Sequence, residues 1–127
     1  MPQRVLIVED NAGVRDILSW RLSRAGFYAA AVADGRAGLA ALRAAPWDLV
    51  LLDLMMPEMD GFEFLAALRL ETRVPPVVVI TQYDDVSILE RAIALGAASS
   101  VGKSSALERS FPGTLSRWVE STRRTTG

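Results

Sequence analysis

Short apolar runs alternate along the chain with stretches of helical period. Val5-Leu6-Ile7-Val8, Leu49 to Leu52 within the run Asp48 to Leu52, and Val77-Val78-Val79-Ile80 are continuously apolar and rich in branched side chains. Continuous hydrophobicity of strand length is what a strand covered on both faces requires. Phe27 to Val32 and Ala98 to Val101 read as two weaker strands, diluted by alanine and serine. Between them, Val14, Ile17, Leu18 and Leu22 recur at helical spacing behind Asn11, a side chain suited to an N-cap, and Gly26 closes that helix. Asp34 caps a second helix with Leu39 and Leu42 on its inner face. Gly61 to Leu70 gives a third. Asp84 or Asp85 starts a fourth that carries Ile88, Leu89, Ile93 and Leu95 and ends at Gly96.

The C-terminal stretch is less regular. Ser105-Ala106-Leu107-Glu108 has the form of a capping box. A helix started there would hold Pro112 in its interior, which costs about 3 kcal/mol. The expectation is therefore a short turn at 105–110, then a helix with Pro112 in its first turn and Leu115, Trp118 and Val119 inward.

Five strand–helix units imply an α/β fold: one parallel sheet with helices on both faces and right-handed crossovers. The length of 127 residues fits one domain, with a core over about 4–122 and a short C-terminal tail in which Arg123-Arg124 are solvated. The formal net charge of −1 gives no global reason to expect a nucleic-acid or membrane surface. No run has the length of a signal-peptide core or a membrane span, so a soluble, cytoplasmic protein is expected. Cysteine and histidine are both absent. That excludes disulfides, thiolate metal sites, cysteine nucleophiles and every Ser-His-Asp arrangement.

In doubly wound sheets the chemistry gathers beyond the carboxyl ends of the strands. Glu9 and Asp10 follow strand one, Asp53 follows strand three, Thr81 ends strand four and Lys103 follows strand five. Carboxylates brought to about 5 Å at an effective dielectric of about 20 repel by roughly 3 kcal/mol per pair. Lys103 offsets part of this; the remainder calls for a shared proton or a cation. With only oxygen ligands on offer the cation is hard, Mg²⁺ or Mn²⁺. An isolated acid at a strand end is commonly just solvated, and Thr81 or Lys103 alone would carry no meaning. Their joint placement is the signal.

At these residues the sequence resembles the response-regulator receiver domains (CheY-like) of two-component signalling. The resemblance rests on VLIVEDN (Val5–Asn11), DLVLLDLMMPEMDGFEFL (Asp48–Leu65), VVVIT (Val77–Thr81), ALGA (Ala94–Ala97) and Lys103. It implies a flavodoxin-like sheet with strand order 2-1-3-4-5. It also implies that Asp53 accepts a phosphoryl group and that Asp10, Asp53 and the backbone carbonyl of Met55 bind Mg²⁺, with Glu9 reaching the ion directly or through water. Thr81 and Lys103 would hold phosphoryl oxygens, and Pro57 and Gly61 would shape the loop after strand three. The implied partners are a sensor histidine kinase or histidine phosphotransfer protein upstream, and a protein target or a missing output domain downstream, with no direct contact to nucleic acid or membrane. The only catalysis implied is on itself, so the chain is not expected to be an enzyme.

Four features depart from the family pattern. Ser104 stands where proline is usual, so a trans bond and a rearranged loop are expected, because a cis bond before a non-proline residue costs about 2.5–4 kcal/mol. Val101 replaces a usual aromatic, Gln82 a usual small residue, and Pro112-Gly113 makes the last segment irregular. Met55 and Tyr83 flank the acceptor, where the family tunes dephosphorylation. These departures leave a pseudo-receiver, an interaction scaffold that no longer switches, as the alternative. A phosphatase of the D-x-D type is opposed by Leu54-Met55 after Asp53, and a flavin module by the lack of a phosphate loop after strand one.

Overall fold

The computed structural model describes residues 2–56, 60–72, 74–82 and 86–126. Its elements run β1 (Arg4–Val8), α1 (Ala12–Arg24), β2 (Tyr28–Val32), α2 (Gly35–Ala44), β3 (Leu49–Asp53), α3 (Gly61–Leu68), β4 (Val77–Thr81), α4 (Val86–Ala94), β5 (Ser99–Gly102), α5 (Lys103–Ala106) and α6 (Phe111–Thr126). The strands form one parallel sheet in the order β2-β1-β3-β4-β5. This is the expected doubly wound α/β sheet.

The sheet separates two cores because successive side chains leave a strand on opposite faces. Leu6, Val8, Val50, Leu52, Val77 and Val79 point to one side, against Leu39 of α2, Phe64, Leu65 and Leu68 of α3, and Ala92 of α4. Val5, Ile7, Leu49, Leu51, Val78 and Ile80 point to the other, against Leu18 and Leu22 of α1 and Phe111, Leu115 and Val119 of α6. Burying a side chain of this size contributes about 1.5–3 kcal/mol. The edge strand β2, Tyr-Ala-Ala-Ala-Val, contributes least because its side chains are small and only half covered.

Local signals hold the helices in place. The Asn11 side chain accepts from the Val14 N–H at 3.0 Å and Asp34 from the Ala37 N–H at 2.8 Å. Gly26 and Gly96 adopt φ of +98° and +110°, the left-handed conformation that a side chain disfavours. A reciprocal capping box opens α3, where Asp60 accepts from the Glu63 N–H and Glu63 from the Asp60 N–H.

Several expectations shift. Asp53 is the last residue of β3 rather than the residue after it, and α3 ends at Leu68 instead of Leu70. Asp84 and Asp85 lie outside the described residues, so α4 is described from Val86. Ile93, one of the apolar positions carried by α4, is about half exposed, because Ala92 occupies the helix face against the sheet. The four residues Ser105–Glu108 form no capping box. Ser105 lies within α5, whose N-cap is Gly102, and the Glu108 N–H donates to the Ser105 backbone carbonyl. Pro112 is in the first turn of α6, as expected, where its missing N–H would have had no partner. The backbone is helical to Thr126, and no glycine or proline follows Gly113 before the last residue.

Candidate functional site

The order of strands reverses between β1 and its neighbours β2 and β3, so the loops leaving β1 and β3 diverge and open a crevice at the carboxyl edge. Glu9 and Asp10 leave β1 there, next to Asp53 at the end of β3. Glu9 is 1% exposed and Asp53 3% exposed, while Asp10 faces solvent. Carboxylate oxygens of the three residues lie within 4.8 Å of one another. Thr81, buried at the end of β4, pairs in register with Gly102, and Lys103 follows directly. The sheet thus brings together all five polar residues singled out in the sequence.

Lys103 bridges the acids. Its Nζ lies 2.9 Å from Glu9 Oε1 and 3.7 Å from Asp53 Oδ2. Glu9 Oε2 also accepts from the Asn11 N–H at 3.2 Å, and Asp53 Oδ1 from the Met55 N–H at 3.1 Å. The latter bond turns the chain after β3 back over the Asp53 carboxylate, so that Met55, the expected carbonyl ligand, sits beside it.

Burial, then the hydrogen bond to Glu9 and the charge of Glu9, push the Asp53 carboxyl from 3.8 up to about 7, against the opposing pull of the Met55 N–H and Lys103. Burial acts to lower the Lys103 ammonium, but its bond to Glu9 and the charges of Asp53, Glu9 and Asp10 outweigh burial and hold it above its ordinary value. One positive charge among three carboxylates leaves an excess of negative charge in a poorly solvated crevice. A hard divalent cation fits this donor set, which offers oxygen only and lies partly open to water at Asp10.

The response regulator receiver domain family matches residues 5–110. The chain belongs to that family. It is 37% identical over 101 residues to the probable transcriptional regulator ycf27 of Porphyridium aerugineum, covering 80% of this chain and 42% of that protein. It is 39% identical over 89 residues to the DNA-binding response regulator MtrA of Mycobacterium tuberculosis, covering 70% of this chain and 39% of that one. The chain spans about two fifths of the length of these relatives. Among solved structures, the chemotaxis protein CheY4 of Vibrio cholerae superposes with a TM-score of 0.84 at 31% identity, covering 92% of this chain and 98% of that one. The Mn²⁺-bound form of response regulator Rcp1 does so with a TM-score of 0.79 at 25% identity, covering 94% and 96%.

Within this receiver the departures from the family pattern have definite places. No cis peptide bond occurs among the described residues, so Lys103–Ser104 is trans, and Lys103 opens the short α5. Val101 is half-buried and packs into the core shared with α1 and α6. Gln82 is exposed directly after Thr81. Pro57 and Tyr83 lie outside the described residues. Among these no helix is long and apolar enough to cross a membrane.

One contributor was not visible in the sequence. Arg15 Nη1 donates to the backbone carbonyls of Glu9 at 2.8 Å and Asp10 at 2.9 Å. The guanidinium both fixes the turn that aims the two acids and brings positive charge behind them. Its position one turn into α1, five residues after Asp10, is the only hint the sequence contains. Gly61, expected to shape the loop after β3, does so through a close fit. An added Cβ would lie 2.5 Å from Leu54 Cα and 2.8 Å from the Asp53 carbonyl oxygen.

Proposed function

We propose that this receiver takes a phosphoryl group onto Asp53 from a phosphohistidine on a partner kinase or phosphotransfer protein, and signals by the change that follows. The observation that carries the reading is the buried Asp53 carboxylate, held within reach of Lys103 Nζ and of two further acids. An Asp53 oxygen attacks phosphorus in line, the bond from phosphorus to the histidine nitrogen breaks, and the imidazole leaves with the electron pair. Lys103, freed from part of its pairing with Glu9, meets the phosphoryl oxygens as charge gathers on them. Thr81, on the neighbouring strand, offers a hydroxyl to one of those oxygens, and its movement biases the β4–α4 loop toward the active state.

Glu9, Asp10, Asp53 and the Met55 carbonyl would hold Mg²⁺, or Mn²⁺, the ion named for the similar Rcp1. Bound there, the ion supplies positive charge against the entering phosphoryl group. The receiver acts only on itself and has no external substrate. Its downstream partner is a protein surface or an output domain rather than nucleic acid, since the net charge is −1. A cytoplasmic location accords with this chemistry. The packed Val101 favours a second reading, a scaffold that binds partners without switching, because an inward valine cannot swing as an aromatic would.

One experiment separates the two. Incubation with acetyl phosphate and Mg²⁺ is expected to add one phosphoryl group to the intact mass of the wild type and none to Asp53→Asn. An unmodified wild type supports the scaffold; an adduct on Asp53→Asn misplaces the acceptor.

A further inference from the structure

We infer that the groove between the C-terminal half of α1 and the start of α6 docks an acidic segment of a partner protein. The groove is a cavity of about 510 Å³ lined by Trp20, Arg21, Arg24, Arg109, Pro112 and Gly113, among other residues. It lies away from the crevice that holds Asp53, and the inference does not depend on phosphorylation.

Charge complementarity names the occupant. Three arginines line the groove and no carboxylate does. Among the described residues none of the three makes an ion pair. Arg21 Nη1 is buried yet has no hydrogen-bond partner, an arrangement that ordinarily marks a missing acceptor. Trp20 is 62% exposed, a large aromatic that the fold does not cover, and the Arg24 guanidinium lies 5.1 Å from its ring centroid. An exposed tryptophan beside unpaired arginines is the composition of an interface centre, where arginine grips carboxylates and the ring covers apolar side chains. A peptide fits better than a nucleic acid. The basic character is confined to one groove of a chain whose net charge is −1, whereas phosphate backbones call for a broad basic face.

The test titrates the whole chain into a short fluorescein-labelled peptide of alternating Glu and Leu and follows anisotropy. The same peptide with Lys for Glu, and a labelled DNA duplex, serve as controls. Saturable binding of the acidic peptide alone is expected. Arg21→Gln with Arg109→Gln should weaken it by about tenfold or more and leave phosphorylation by acetyl phosphate unchanged. Arg109→Glu alone, at an exposed position, should weaken binding more than Arg109→Gln, which keeps the test open should the double variant fail to fold. No binding of the acidic peptide, equal affinity in wild type and variants, or DNA binding as tight as peptide binding would each overturn the inference.

Discussion

Metal-free protein should lose about 2 kcal/mol of stability between about pH 4 and pH 7 that an Asp53→Asn variant retains. The sign follows from where the proton sits. In the unfolded chain Asp53 ionises near 3.8, whereas in the fold burial and Glu9 keep it protonated up to about 7. A carboxyl raised in this way contributes fully below the lower value and loses that contribution as pH rises through the upper one. The displacement bounds the effect at about 4 kcal/mol, and water reaching the crevice through Asp10 brings it toward half of that. The difference between wild type and Asp53→Asn removes the titration of the other carboxylates from the comparison. Urea unfolding with a chelator present, at a series of pH values, measures it directly.

Excess Mg²⁺ should close the gap at the alkaline end. An ion that binds only the folded wild type stabilises it by about 2.7 kcal/mol at a hundredfold excess over its dissociation constant. A stability difference that does not change with pH, or that Mg²⁺ leaves unchanged, would mean that Asp53 does not sit in the electrostatic environment described.

Gly61→Ala is expected to cost about 3 kcal/mol and to impair the acceptor at the same time. The new methyl would lie 2.5 Å from Leu54 Cα, 2.8 Å from the Asp53 carbonyl oxygen and 2.9 Å from a Leu54 methyl. Two of the three obstacles involve main chain at the end of β3, so no rotamer change relieves them and the backbone must move. Leu54 is itself wholly buried, and the Gly61 N–H donates to its carbonyl at 2.8 Å. Displacing that pair of residues moves the Asp53 carboxylate relative to Lys103. The expected results are a lower urea midpoint with unchanged slope, and slower phosphorylation even where the variant is fully folded. Wild-type stability in Gly61→Ala would show that the loop after β3 is not so closely seated on α3.

The two predictions draw on different levels of legibility. Strands β1, β3 and β4 could be read from the sequence because each is an unbroken apolar run, and the three-dimensional reason is that each is covered on both faces. The acids, Thr81 and Lys103 could be located because the topological rule puts chemistry at the carboxyl edge. What could not be read depends on distance. The Arg15 clamp on the Glu9 and Asp10 carbonyls joins a helix to a loop and leaves no periodic trace. Gly61 could be named as shaping the loop after β3 from the resemblance, but its close fit against Leu54 and Asp53 could not.

The C-terminal segment has the expected turn and the helix with Pro112 in its first turn, plus one short helix that spacing does not reveal. Ser105 and Glu108 match a cap by spacing alone, yet Gly102 already ends β5 and lets α5 start at Lys103. Likewise Ile93 fits the apolar period of α4 but lies outside the face against the sheet, which Ile88 and Ala92 occupy. Val101 could be seen as unusual; its packing against the α1 and α6 core could not.

The central claim is that Asp53, of all the acids in the chain, is the one that takes the phosphoryl group. Borohydride reduction after phosphorylation in Mg²⁺ converts an acyl phosphate to an alcohol at the residue that carried it, and peptide sequencing by mass spectrometry then locates that residue. The account predicts reduction at Asp53 alone, abolished by chelator; reduction at Asp10, Glu9 or any other acid, or none at all in a folded protein, would contradict it.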